Sequence, residues 1–88
     1  MKDVIEVISE VTKKIMERES LYNKTWLQIP TSDLIAVARI KTFRASTLFN
    51  NLDKEDDNIK MKLIDDLIDA TAYLLFSIIK IKQELQKS

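Results

Sequence analysis

The sequence predicts an all-α fold: a three-helix chain, short, medium and long, forming a helical bundle that dimerisation completes. Three observations predict it. Apolar residues recur at helical spacing in three separate stretches. The 88 residues contain no Gly and one Pro, so helix breakers are nearly absent. The last stretch is also longer than its neighbours, so two helices from one chain leave part of its broad apolar face uncovered. Residues 1–88 read as a single domain, only just above the size at which one core suffices without staples.

The first helix is expected over about 2–21. Val4, Ile8, Val11 and Ile15 line one side, flanked by Ile5, Val7 and Met16. Glu6, Glu10, Lys13 and Glu17 share the other side at helical spacing. Two readings apply to those acids. They form a solvated face, with Glu10 and Lys14 as an i, i+4 pair, or some of them join a metal site with acids of the last helix.

From Tyr22 to Pro30 the helical period breaks, which predicts a loop with one turn. Trp26, the only Trp, either plugs the end of the helix stack or stacks on a ligand base. A second helix is expected over about 32–50, with Thr31, Ser32 and Asp33 as N-cap choices. Leu34, Ile35, Val37, Ala38, Ala45, Leu48 and Phe49 form its expected buried side. Its cations are Arg39, Lys41 and Arg44. Arg39 lies just beside the apolar face, as a snorkelling or ion-paired side chain or as the phosphate fork of a nucleotide site.

The polar, acidic stretch from Asn50 to Asn58 reads as a linker whose end caps the third helix through Asp56, Asp57 or Asn58. That helix is expected over about 56–86. Leu63, Ile64, Leu67, Ile68, Leu74, Leu75, Ile78 and Ile79 fall on one broad face around Thr71. Burial of that face, with Leu67 and Leu74 inside the stack, is the packing expectation. The opposite face carries Asp65, Asp69, Tyr73 and Phe76, with Asp66 at its edge.

Composition excludes several chemistries. Without Cys there are no disulfides, thiolate metal sites or thiol nucleophiles. Without His there is no imidazole ligand and no neutral general base. Without Gly there is no Gly-rich phosphate cradle. Fourteen basic and fourteen acidic residues cancel, so nucleic acid is not an expected partner. No apolar run reaches membrane-spanning length and the start MKDVIEV lacks a signal-peptide pattern, which predicts a cytoplasmic protein (the host cytoplasm for a viral one).

The order of motifs resembles a family. Leu21-Tyr22-Asn23-Lys24-Thr25-Trp26, Ile35-Ala36-Val37-Ala38-Arg39-Ile40 and Asp65-Asp66-Leu67-Ile68-Asp69 through Tyr73 are similar to the nucleotide modification associated domain 1 group. That group, common in phage genomes, looks like a small relative of the MazG-type all-α nucleoside triphosphate pyrophosphohydrolases. The sequence departs from its pattern where Leu21 and Asn23 flank Tyr22 and where Ala72 precedes Tyr73. The paired Glu-x-x-Glu of the MazG enzymes is also missing. The resemblance implies a nucleotide-sized cleft, magnesium held by helix carboxylates, and a homodimer.

Two functional expectations follow. In the first, Asp65, Asp66 and Asp69 hold Mg²⁺, since acids one turn apart can share an ion that polarises a phosphate and activates water. Glu10 and Glu17 then supply the catalytic carboxylates, and Tyr22, Trp26, Arg39 and Tyr73 bind the nucleotide. In the second, the chain is a non-enzymatic, dimeric helical interaction protein that acts on a partner protein.

Overall fold

The computed structural model describes residues 1–22, 24–51 and 56–87, with the backbone alone for residues 20–22. Among them are three helices and no strand: α1 (Lys2–Tyr22), α2 (Thr31–Asn50) and α3 (Asp57–Lys87), with a 3₁₀ turn at Thr25–Gln28. Each helix boundary lies within a residue of the one expected. The single turn between α1 and α2 is also as the sequence predicts, entered through Lys24 in the left-handed region (φ 56°, ψ 37°).

The caps separate one expectation from another. Asp56 caps α3, its Oδ1 accepting hydrogen bonds from the backbone N–H groups of Asn58 (3.0 Å) and Ile59 (3.3 Å). At α2 the expected side-chain cap from Thr31, Ser32 or Asp33 does not form. The helix already includes Thr31, so those side chains lie past the capping position. The Pro30 carbonyl instead accepts the N–H groups of Asp33 (2.9 Å) and Leu34 (3.1 Å).

The fold is held by antiparallel packing of α2 on α3. On α2 the seam is Leu34, Ala38, Lys41, Ala45 and Leu48; on α3 it is Leu63, Asp66, Ala70, Tyr73, Ser77 and Lys80, all buried or half-buried. Both stripes advance by alternating steps of three and four residues, the seam period of paired helices. Ala38, Ala45, Ala70 and Ser77 are small, which allows the two backbones to approach closely. At one end Leu34, fully buried, joins Ala72 and Phe76, with Ile15, Trp26, Ile29 and Tyr73 packed around them. α1 docks more lightly, through Val11 and Ile15.

This packing reverses the expected orientation of α3. Leu67 and Leu74, expected inside the stack, are each 45% exposed, and Ile64, Leu75, Ile78 and Ile79 are exposed with them. The acidic and aromatic stripe turns inward instead: Asp66, Ala72 and Phe76 are buried, and Asp69 and Tyr73 half-buried. The cause lies on α2. Lys41 and Arg44, three residues apart on its inner edge, face Asp69 and Asp66, three residues apart on α3, and give the inward-turned carboxylates their cations. Ile35 and Phe49 of α2 are likewise exposed where burial was expected, and Val4, Ile5, Val7, Ile8 and Met16 of α1 are exposed with them.

Two substitutions on neighbouring positions of α2 check the orientation by urea unfolding. Leu34→Ala should lower stability by about 2–5 kcal/mol, as for a closed core site. Ile35→Ala, on the exposed side, should lower it by less than about 1 kcal/mol.

Candidate functional site

Charged residues line the α2–α3 seam at one level. Arg44 donates two hydrogen bonds to Asp66, Nη2 to Oδ1 at 2.5 Å and Nε to Oδ2 at 3.1 Å. Asp66 is 4% exposed, so the bidentate pair is largely removed from water on the carboxylate side. The Arg44 hydrogen bonds hold the Asp66 carboxyl below its ordinary pKa; burial pushes it the other way and is outweighed. The same pairing raises the Arg44 guanidinium above its already high value.

One turn further along α3, Asp69 gathers three cations from two helices. Arg18 Nη2 lies 2.6 Å from Oδ1, Lys14 Nζ 3.5 Å from Oδ1, and Lys41 Nζ 3.4 Å from Oδ2. Lys14 also lies 3.6 Å from Asp65, which is solvent-exposed. The expected Glu10–Lys14 pair is thus replaced by a cross-helix one, because α1 sets Lys14 and Arg18, four residues apart, against α3. These ion pairs tie the lightly packed α1 to the hairpin.

Beside Asp69 opens a cavity of about 500 Å³, within the range of small-molecule sites. Its aromatic wall is continuous. Trp26 and Phe76 stack with centroids 4.3 Å apart and planes 9° from parallel, and Tyr73 meets Phe76 edge-on at 6.1 Å and 81°. Ile15 and Ile29 add aliphatic surface, while Arg18, Lys24, Lys41 and Glu19 bring charge to the wall. Lys80 of α3 donates to the Ile29 carbonyl and anchors the connecting segment over α3. Trp26 therefore both plugs the end of the helix stack and lines a ligand-sized space.

The expected site residues distribute unevenly. Trp26 and Tyr73 come together in the cavity. Asp66 and Asp69 face cations across the seam, and Asp65 shares Lys14. Glu10, Glu17 and Arg39 lie on exposed helix surface away from that aromatic wall. The side chain of Tyr22 lies outside the described residues. Among the described residues no three carboxylates gather into a group able to hold a metal ion.

The residues that the sequence reading passed over are Lys14, Arg18, Lys41 and Arg44 in their cross-helix roles. A signal for two of them was present: Lys41 and Arg44 have the same three-residue spacing as Asp66 and Asp69, which antiparallel helices bring face to face. Arg18 had no such signal, since its partner is 51 residues away on a third helix.

No helix among the described residues is long and apolar enough to cross a membrane. No family model matches this chain, and neither a curated protein nor a solved structure matches it.

The Asp66–Arg44 pair makes a pH prediction. A carboxylate whose folded pKa is lowered contributes stability above its unfolded pKa, about 3.9, and loses that contribution as pH falls through the folded value. Wild type should therefore lose thermal stability below about pH 4, and Asp66→Asn should show a shallower acid slope in melting curves over the same range.

Proposed function

We propose that this chain is a dimeric helical interaction protein whose α3 helices pair with each other. The observation that carries this is a second seam on α3, on the side turned away from α2. Ile64, Leu67, Thr71, Leu74, Ile78, Ile81 and Leu85 advance by alternating steps of three and four residues through three heptads, and all seven are exposed. A stripe of that regularity is what one helix presents to another. A second copy presents the same stripe.

The surface area supports the same reading. A folded monomer of 10.2 kDa is expected to expose about 5,300 Å². This chain exposes 7027 Å². The excess, roughly 1,700 Å², is about twice what one partner buries in a standard interface and suits an obligate homodimer. α3 is about 46 Å long at 1.5 Å per residue, so the seam offers enough length for such burial. The exposed apolar residues of α1, Val4, Ile5 and Ile8 among them, extend the uncovered surface beyond α3.

Sedimentation equilibrium tests the reading. Wild type should be a dimer at micromolar concentration, and Leu67→Glu with Leu74→Glu should give a monomer of reduced stability. In the dimer Leu67→Ala should lower stability by about 2–5 kcal/mol. A stable wild-type monomer, insensitive to Leu67→Ala, would remove the proposal.

A second reading, binding or hydrolysis of a nucleoside triphosphate with Mg²⁺ at Asp65, Asp66 and Asp69, rests on Trp26 and Tyr73 lining one cavity and on the resemblance to the MazG-like group. It requires Asp69 to exchange Arg18, Lys14 and Lys41 for the ion. The two roles of Asp69 predict opposite behaviour. As an ion-paired residue, its change to Asn lowers stability by about 1–3 kcal/mol, and Mg²⁺ makes no difference. As a metal ligand among carboxylates, the same change leaves stability level or raised and abolishes stabilisation by Mg²⁺ with triphosphate. Melting curves of both proteins, with and without each addition, separate them. The geometry favours the first outcome.

A further inference from the structure

The cavity beside Asp69 lies on the face of α3 away from the proposed dimer seam, and its chemistry points to its own kind of ligand. We propose that it is a metal-independent binding site for a small organic anion that carries a ring, with a carboxylate or phosphate head group. This goes beyond the dimer reading and does not depend on it.

The charge balance supports an anion. Arg18, Lys24 and Lys41 line the wall against a single lining carboxylate among the described residues, Glu19. Asp69 behind them offsets part of their charge, and Lys80, bound to the Ile29 carbonyl at the cavity edge, adds to it. Arg18 and Lys41 are held in place by Asp69, so their positions are set before any ligand arrives. Lys24 is exposed, and the left-handed turn that starts the connecting segment sets its backbone beside the cavity. Arg18 and Lys41, preorganised in this way, lose little on binding a carboxylate or phosphate.

The apolar part of the wall supports the ring. The stacked Trp26 and Phe76 rings, the Tyr73 ring and the Ile15 and Ile29 side chains make the rest of the wall apolar. A wall with mostly apolar lining and a few convergent polar groups is the usual form of a small-molecule site. No metal is needed for this recognition, because the cations are supplied by the chain.

The test uses the full chain with EDTA present, so that divalent ions take no part. Phenyl phosphate and benzoate are titrated separately, with benzyl alcohol as the neutral counterpart, up to millimolar concentration. Trp26, the sole Trp, reports from the cavity by fluorescence, and calorimetry gives affinities for variants. The expected result is a saturable response to at least one anion and none to benzyl alcohol. The two anions distinguish a carboxylate from a phosphate head group, and either response upholds the site. Lys24→Asn removes a charge while keeping a residue that tolerates the left-handed backbone, and should weaken binding about tenfold with an unchanged melting curve. Trp26→Phe, followed by calorimetry, should also weaken it. Absence of a saturable response to both anions, an equal response to benzyl alcohol, or affinity unchanged in Lys24→Asn would each overturn the proposal. Because none of these readouts measures oligomeric state, failure here is distinguishable from failure of the dimer.

Discussion

The structure depends on the ion pairs that set α2 against α3. Arg44 with Asp66, and Lys41 with Asp69, place equal three-residue spacings face to face on antiparallel helices. Slipping α3 by one turn would leave the nearly buried Asp66 carboxylate without its guanidinium, a loss larger than an ordinary contact because the charge stays out of water. The net stabilisation from such a pair is small, since desolvation offsets much of the attraction. Its effect is on register. The small residues around it, Ala38, Ala45 and Ala70, then allow the backbones to close on that register alone.

That choice of face has consequences for every other surface. With the acidic and aromatic side of α3 turned inward, Phe76 and Tyr73 become available to Trp26, and the connecting segment folds over them. With the aliphatic side turned outward, α3 keeps a second helical seam that is exposed among the described residues. One helix thus carries two stripes of the same period and different chemistry. The polar, small and aromatic stripe builds the hairpin, and the branched aliphatic stripe is left exposed.

α1 occupies an intermediate position. Its buried contact is small, essentially Val11 and Ile15, while Lys14 and Arg18 reach Asp69. A helix held by a few apolar contacts and partly buried ion pairs is less firmly docked than one held by a continuous seam. The cavity next to Asp69 is built at this lightly packed junction, where three helices meet without filling the space between them.

The sequence by itself determined that the chain is helical, where each helix begins and ends, and that one side of each is apolar. These follow from local properties: spacing at 3.6 residues, absence of Gly, Pro30 and the Asp56 cap. Which side of α3 faces α2 was decided only by tertiary structure. Apolar count favoured the side of Leu67 and Leu74; Lys41 and Arg44, distant in sequence, favoured the side of Asp66 and Asp69. Helical periodicity describes one element at a time and does not weigh a charge against its partner on another helix. The pairing of Arg18 with Asp69, and the cavity that forms beside it, likewise required α1 to be placed in space. A carboxylate at helical spacing reads the same whether it awaits a cation, a metal or water, and only the residue brought opposite to it distinguishes them.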